Sequence, residues 1–315
     1  MSDAPAIDVN GLIKKFGNRT VVDKFSLEVA RGRICGFLGP NGSGKTTTLR
    51  MICGLLIPDG GEGTVLGLDL RTQRELIKLK IGYMTQRFGL FEDLTIRENL
   101  AFVADAYGLD GKNARVTAAL ERLGLETRAD QLAGTLSGGW KQRLALAACV
   151  LHDPEILLLD EPTAGVDPLA RREFWDQVHM LSAEGTTVLV STHYMDEAER
   201  CHDIAYIAYG VLLARGTAEE IVAGSGLVAL AGEGPGADRL APRLENRPGV
   251  DMAAAFGPTL HVCGRDMSAL KAAVADVAPE ISWRETDPTL EDVFIHLMRG
   301  ATDNSTGDNG TQARA

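Results

Sequence analysis

The sequence has no apolar run long enough to cross a membrane. Its longest such runs include Leu144–Leu151 and Ile156–Leu159, far shorter than the ~18 residues that suggest a spanning helix. The first residues, Met1 to Ala6, also lack the basic stretch and the apolar run of a secretion signal. We therefore expect a soluble, cytoplasmic chain that needs a partner to hold it if it works at a membrane.

Cysteine is scarce, and its spacing carries no metal or disulfide pattern. The residues are odd in number and widely scattered, and no CxxC pair occurs. They are Cys35, Cys53, Cys149, Cys201 and Cys263. This distribution argues against a disulfide framework and is typical of small buried side chains in a reducing cytosol.

Positive charge is also in short supply. The 32 Lys and Arg residues are outnumbered by 43 Asp and Glu residues, which gives a formal net charge of −11. No global basic field therefore favours nucleic acid, and we predict no nucleic-acid partner. The apolar fraction of 45% and the charged fraction of 24% are ordinary for a globular protein, and 315 residues are enough for two domains.

The succession of apolar patterns predicts an α/β fold. Residues 7–38 alternate apolar and polar side chains, as strands do, and residues 87–150 show the three- and four-residue spacing of helices. Ile156–Leu159 and Thr187–Ser191 are short, almost wholly apolar runs, as expected for buried parallel strands, and Pro168–Glu184 between them predicts a helix. This alternation predicts a mostly parallel sheet between helices, with a helical insertion at about 87–150.

A composition shift near Gly224 predicts a second domain. Residues 224–236 are rich in glycine and alanine, and we expect a linker or a domain boundary there, while Val228–Ala231 within this segment predicts a strand. The segment up to residue 300 predicts the order strand, helix, two strands, helix, strand, helix, which is a small α+β domain. We therefore divide the chain into domains at 1–223 and 224–300. Residues 301–315 are polar and predict a disordered tail.

A glycine-rich turn between a predicted strand and a predicted helix fits the phosphate-loop pattern GxxxxGK[ST]. Its glycines let the backbone wrap around phosphate oxygens, and the helix N-terminus adds partial positive charge. We expect Lys45 to reach the β- and γ-phosphates of a nucleotide and the Thr46 hydroxyl to bind Mg²⁺. The residues predicted to contact the nucleotide here are Gly39, Pro40, Asn41, Gly42, Ser43, Gly44, Lys45, Thr46 and Thr47.

An acidic pair follows the buried strand predicted at Ile156–Leu159. A strand that ends in Asp160 and Glu161 places both carboxylates at the carboxyl edge of the sheet, where such folds bind ligands. Asp160 is therefore predicted to hold Mg²⁺, directly or through water. Glu161 is predicted to act as the general base that polarises the attacking water.

A second glycine-rich helix start occurs at Leu136-Ser137-Gly138-Gly139. Together with the phosphate loop upstream and the acidic strand downstream, it resembles the signature sequence of ATP-binding cassette (ABC) proteins. The resemblance covers roughly residues 5–222. It implies the P-loop NTPase fold of that family, with an N-terminal antiparallel β subdomain, and contacts from Ser137, Gly138 and Gly139 to the nucleotide.

The resemblance also assigns roles to single residues. Gln86 resembles the Q-loop glutamine, which in the family senses the γ-phosphate and Mg²⁺, and Asp167 resembles the D-loop aspartate. His193 resembles the switch histidine that contacts the γ-phosphate, and Phe16 resembles the aromatic residue that stacks on adenine. Trp140 departs from the pattern, because the family usually has Gln after the signature glycines.

The family arrangement implies a head-to-tail sandwich of two cassettes. Each ATP would lie, with Mg²⁺, between the phosphate loop of one cassette and the Ser137–Gly139 segment of the other. The chain has one of each motif, so it needs a second cassette, most simply a copy of itself. ATP would favour the closed dimer, and hydrolysis would open it.

The segment Pro288–Phe294 resembles the C-terminal extension of ABC-2 type ATPases from daunorubicin and other drug-export systems. This implies an ATPase peripheral to the inner face of the cell membrane that energises a separate permease for a drug-, antibiotic- or lipid-like substrate. Import stays open. A non-transport ABC ATPase of translation or DNA repair is the alternative. A single cassette, and a gap of about ninety residues without heptads between Lys45 and Ser137, count against it.

Overall fold

The computed structural model describes residues 4–245 and 247–300 and divides into two compact units. The first ends at Leu213 and the second begins at Ala214, upstream of the predicted boundary at 223/224. The helix before that predicted boundary, Ala218–Gly224, packs on the final helix of the second unit. The predicted tail 301–315 lies outside the described residues.

Two sheets organise the first part of the chain. Their strands, in chain order, are β1 (Ile7–Phe16), β2 (Arg19–Val29), β3 (Ile34–Leu38), β4 (Gly60–Val65), β5 (Leu68–Asp69), β6 (Ile81–Met84), β7 (Ile156–Asp160), β8 (Thr187–Thr192), β9 (Asp203–Ala208) and β10 (Val211–Gly216). An antiparallel sheet has the order β2-β1-β4-β5, and a six-stranded sheet has the order β10-β9-β3-β8-β7-β6. The pairs that β3, β6, β7, β8 and β9 form with one another are parallel. The predicted α/β class, with a mostly parallel sheet and an antiparallel N-terminal part, is confirmed.

Helices connect these strands. They are α1 (Lys45–Ile52), α2 (Arg74–Lys80), α3 (Ile96–Ala106), α4 (Lys112–Arg122), α5 (Gly138–Val150), α6 (Pro168–Ala183) and α7 (Met195–Ala198). Helices α3, α4 and α5 occupy the segment predicted as a helical insertion. Thr95 and Glu98 form a reciprocal capping box at the start of α3, which satisfies two backbone N–H groups that the helix would otherwise leave free.

The parallel sheet is buried on both faces, which explains the apolar run of β7. Leu157 and Leu159 belong to a buried cluster that also contains residues of α3, α5 and α6. Ile156 and Leu158 point the other way, into a cluster with residues of β1, β2 and α1. Every side chain of β7 before Asp160 packs in the core. The strand is therefore fixed in place and holds the carboxylate of Asp160 at its end.

The second unit is built on an antiparallel sheet with the order β12-β13-β11-β14. Its elements are α8 (Ala218–Gly224), β11 (Val228–Glu233), α9 (Ala241–Leu244), β12 (Met252–Phe256), β13 (Thr259–Gly264), α10 (Met267–Val277), β14 (Ser282–Thr286) and α11 (Leu290–Gly300). From β11 onward the order of elements is the predicted one. Strand β11, predicted at Val228–Ala231 within the segment interpreted as a linker or boundary, spans Val228–Glu233 and pairs with both β13 and β14 inside the sheet. Position 232 of β11 has no room for a side chain, because a Cβ atom on Gly232 would lie 2.5 Å from the ring of Trp283.

Among residues 4–245 and 247–300, no helix combines the length and the apolar character needed to cross a bilayer.

Candidate nucleotide-binding site

The phosphate loop joins the carboxyl end of β3 to the N-terminus of α1. Gly42 and Gly44 have φ angles of +79° and +101°, in the left-handed region that favours glycine. A Cβ atom on Gly39 would lie 2.1 Å from the carbonyl oxygen of Ile207, so this position has no room for a side chain. The glycines therefore shape a turn whose end, at Gly44, is the N-cap of α1.

Lys45 lies inside this turn. Its Nζ donates hydrogen bonds to the carbonyl oxygens of Gly39 at 2.7 Å and Pro40 at 3.1 Å, and it lies 3.5 Å from Oε1 of Glu161. Burial lowers the pKa of the Lys45 ammonium from 10.5, and the carboxylate of Glu161 opposes this by raising the pKa. The loop thus holds a buried cation beside the predicted general base.

Thr46 and Asp160 meet at the carboxyl edge of the sheet. The Thr46 hydroxyl donates to Oδ1 of Asp160 at 3.1 Å, and the Ser191 hydroxyl donates to the same oxygen at 2.7 Å. Tyr83 lies at 3.4 Å from Oδ2 of Asp160. Hydroxyl and carboxylate oxygens are the ligands that Mg²⁺ prefers, so this pair fits the metal ion of a Mg–nucleotide complex. Gln86, the third predicted metal residue, contacts Glu161 instead.

Glu161 lies where several predicted motifs converge. Its Oε2 accepts a hydrogen bond from Nε2 of Gln86 at 3.0 Å and lies 3.5 Å from Nδ1 of His193. Its φ of +47° is unusual for a residue with a side chain. The backbone N–H that this conformation presents donates to the carbonyl oxygen of Ser191 at 3.1 Å and to the Ser191 hydroxyl at 3.0 Å. The three predicted catalytic residues, Glu161, Gln86 and His193, are thus brought together.

A cavity of ≈ 370 Å³ opens beside these groups. Its lining comprises Arg19, Val21, Asn41, Gly42, Gly44, Lys45, Thr46, Thr47, Gln86 and Glu161. The Ser43 hydroxyl is buried at the loop and has no hydrogen-bond partner among the described residues, so it is available to a ligand. Phe16 stands at the exposed end of β1 and is 52% exposed, and the Lys14 ammonium lies 5.7 Å from the ring centroid. Such an exposed ring is suited to stacking on a base.

The signature residues lie at the start of α5 and border another cavity. Ser137 is the N-cap of α5, and its side chain makes no capping hydrogen bond. Asp167 caps α6 by accepting from the backbone N–H groups of Leu169 at 3.1 Å and Ala170 at 3.0 Å. Ser137, Gly139 and Asp167 line a cavity of ≈ 250 Å³ that no phosphate-loop residue borders. Within the chain, the two groups of predicted nucleotide contacts are therefore separate.

The position that departs from the family pattern, Trp140, is held between two cations. The guanidinium carbons of Arg128 and Arg143 lie 4.6 Å and 4.7 Å from the centre of its ring. Arg143 also pairs with Glu173 of α6 at 2.7 Å. The bulky ring is therefore accommodated by cation–π contacts without loss of the helix start.

Sequence reasoning missed Ser191 and Tyr83, which both contact Asp160. Ser191 could have been recognised as a site residue, because it is a polar residue near the end of an apolar strand, directly before Thr192 and the predicted switch histidine. No such indication marks Tyr83, because a tyrosine shortly before Gln86 is more simply interpreted as a core residue. A further buried carboxylate, Glu197 on α7, is 1% exposed and was also missed.

Residues 22–164 match the family model described as ABC transporter. The Nod factor export ATP-binding protein I of Paraburkholderia xenovorans is 37% identical over 298 residues, which cover 93% of this chain and 96% of the relative. A probable multidrug ABC transporter ATP-binding protein of Escherichia coli is 46% identical over 221 residues, 70% of this chain, and this chain spans only 38% of that relative's length.

Solved structures give the same assignment. An ATP-binding subunit of an ABC transporter superposes with a TM-score of 0.64 at 30% identity, covering 70% of this chain and 93% of that one. A dimeric ATP-binding cassette in a post-hydrolysis state with ADP and Pi has a TM-score of 0.61 at 27% identity, covering 67% of this chain and 98% of that one. By sequence and by fold, this chain belongs to the ATP-binding proteins of ABC transporters, a family of ATPases.

Proposed function

We propose that this chain binds and hydrolyses Mg–ATP and uses the energy to drive export through a separate, ABC-2 type membrane permease. The observation that carries the proposal is the convergence of Lys45, Thr46, Asp160 and Glu161 around one cavity at the start of α1. A buried cation, a hydroxyl–carboxylate pair and a second carboxylate together are what phosphoryl transfer to water requires.

Each side chain has a defined task in this scheme. The loop N–H groups and the Lys45 ammonium bind the phosphates, which gives Lys45 an anionic partner other than Glu161. Thr46 and Asp160 would hold Mg²⁺, whose charge, when bound there, would stabilise the phosphates. Glu161, released from Lys45, accepts the proton of the attacking water. Gln86 and His193, both beside Oε2 of Glu161, orient that water.

The separation of the two cavities supports a dimer. Ser137 and Gly139 border a cavity of their own, so the α5 N-terminus in one chain is free to face the phosphate loop of another. A second copy of this chain supplies the missing half of each site. The dimeric, ADP- and Pi-bound state of a structural neighbour supports this arrangement.

The surface beside Gln86 fits a membrane partner. A groove of ≈ 320 Å³ is lined by residues that include Met84, Leu90 and Val103. Near it, Phe91 and Phe102 are 47% and 50% exposed, and their rings meet edge to face at 4.9 Å. Exposed aromatic side chains of this kind are typical of protein interfaces. Nucleotide-dependent movement of Gln86 would pass to the permease through the segment Arg87–Asn99, at the inner face of the membrane.

The direction of transport is proposed from the relatives. Those described above are named for multidrug transport and for Nod factor export. We therefore assign export of a drug-, antibiotic- or lipid-like substrate.

The test is purification of the tagged full-length chain from solubilised membranes, followed by ATPase measurement. We expect recovery of a protein with several membrane-spanning helices and an ATPase rate that the partner stimulates. Phe102→Asp should abolish recovery of that partner, whereas Leu79→Asp, which alters a comparably exposed apolar side chain on α2, should not. Recovery of ribosomes or nucleic acid in place of a membrane protein would overturn the proposal.

A further inference from the structure

Glu197 is a buried carboxylate that is not among the predicted nucleotide-binding or catalytic residues. It lies on the short helix α7 and is 1% exposed. A carboxylate removed from water is costly unless hydrogen bonds and a cation compensate it. The partners that compensate Glu197 come from three separate segments of the chain.

Two threonine hydroxyls and one arginine surround Glu197. Thr163, in the loop after β7, donates to Oε1, and Thr192, at the end of β8, donates to Oε2 at 2.7 Å. Nε of Arg171, on α6, lies 3.5 Å from Oε1. Each oxygen of the carboxylate therefore accepts from a different segment at the edge of the sheet, the loop after β7 or the last residue of β8.

These contacts complete a ring with the candidate catalytic residues. Thr163 follows Glu161 by two residues, and Thr192 directly precedes His193. On the other side, Nδ1 of His193 lies 3.5 Å from Oε2 of Glu161. The path from Glu161 through Thr163, Glu197, Thr192 and His193 thus returns to Glu161.

Arg171 ties the D-loop helix to the same ring. It stands one turn after Asp167, the cap of α6, and its guanidinium carbon lies 4.5 Å from the centre of the Tyr194 ring. The Tyr194 ring in turn lies 4.1 Å from the ring of His193. Glu197 therefore anchors the segments that carry Glu161, Asp167 and His193.

We propose that Glu197 is a positioning residue for ATP hydrolysis, which sets the place of His193 relative to Glu161 by binding Thr163 and Thr192 together. The inference rests on the proposed function, since it concerns the same reaction. Glu197 is not among the residues that line the candidate nucleotide cavity. Its effect belongs to the chemical step, because a displacement of about 1 Å in a catalytic group can cost about 100-fold in rate.

The test removes one hydroxyl of the ring at a time in the full-length chain. Thr192→Val and Thr163→Val should each lower kcat for ATP about 10-fold, with KM changed less than about twofold, because phosphate binding by Lys45 is untouched. The double variant should be no slower than the slower single variant, since either change opens the ring. Thr192→Ser and Thr163→Ser keep the hydroxyl and should keep the rate.

The matched control is Asp196→Asn. Asp196 neighbours Glu197 on α7 and lies 3.6 Å from Arg171, but it is 61% exposed and contacts neither threonine in the structure. It should leave both kinetic constants unchanged. Rates are to be normalised to folded protein by thermal unfolding, so that a role in stability alone would show as an unchanged kcat.

Crystal structures of the Thr192→Val variant and the parent chain give a readout that is independent of turnover. We expect the distance between Nδ1 of His193 and Oε2 of Glu161 to increase in the variant. An unchanged distance, or valine variants with the parent kcat, would overturn the role of Glu197. A parent chain without ATPase activity would instead reject the proposed function, while the two structures still decide the geometry.

Discussion

Glu161 lies at the junction of three motifs, and its surroundings suit a group that must exchange partners. Its carboxylate contacts Lys45, Gln86 and His193, while its backbone is fixed by Ser191. A positive φ at a residue with a side chain is a strained conformation that surrounding contacts must maintain. The strain is consistent with a side chain aimed into the cavity for chemistry.

At this scale we predict that Glu161→Gln retains ATP binding but slows hydrolysis by about 100- to 10,000-fold, the usual contribution of a general base. Glutamine keeps the size and one acceptor oxygen but cannot take up a proton. The measurement is the steady-state ATPase rate together with ATP affinity. Glu155→Gln is the control, because Glu155 precedes the same strand at its opposite end, where it pairs with Lys80. A Glu161→Gln variant with the parent rate would place the base elsewhere.

How far single residues could be predicted depended on whether their neighbours lie nearby in the sequence. Lys45, Asp160 and Glu161 belong to short motifs whose residue spacing predicts where the side chains lie, and the structure brings the three residues together. Glu197 could not be recognised, because Asp196 and Glu197 form an acidic pair that resembles a solvent-facing helix start. Only the tertiary packing of α7 buries one of the two carboxylates and exposes the other.

The N-terminus of α5 is the element whose placement governs the second half of the site. A Cβ atom on Gly139 would lie 2.5 Å from Cβ of Ala170 on α6, closer than real carbon atoms approach. A Cβ atom on Gly138 would have no atom of another element within 4 Å. The two signature glycines therefore differ in physical role, since the second lets α5 and α6 pack closely.

At the element scale we predict that Gly139→Ala destabilises the protein by about 1–3 kcal/mol, the usual cost of overpacking. Ala170→Gly in the same chain should recover part of this loss, although glycine in a helix itself costs about 1 kcal/mol. Chemical unfolding of the parent, both single variants and the double variant measures this coupling. Gly138→Ala is the matched control and should be nearly neutral. Strictly additive losses would show that the two helices do not meet at these positions.

Among the elements, strand β7 was predicted without ambiguity, whereas strand β11 was predicted at Val228–Ala231 inside a segment that was also interpreted as a linker or boundary. The run Ile156–Leu159 is apolar because both faces of the sheet are covered, and that pattern is visible in the sequence. In β11, alanine and glycine occupy positions where large neighbours such as Trp283 need space, and the same composition is typical of a linker. Small residues in a strand are informative only once the residues that cover them are known.

For the whole molecule, the separation of the phosphate loop from the signature decides how many chains a working site needs. Lys45 borders one cavity and Ser137 another, so a chain acting alone would leave each ATP half enclosed. In the proposed symmetric dimer, each site would take Lys45 from one chain and Ser137 from its partner. Lys45→Ala and Ser137→Arg should therefore each abolish hydrolysis, the first by weakening nucleotide binding and the second by blocking closure.

Mixing these two inactive variants is the sharpest test of that arrangement. A mixed dimer has one site in which both halves are altered and one in which both are intact. With random pairing and independent sites, about one quarter of the parent ATPase rate should return. A chain carrying both substitutions, mixed with the Lys45→Ala chain, builds no intact site and should stay inactive. Mixing that restores nothing, although the chains exchange, would mean that each phosphate loop works with the signature of its own chain.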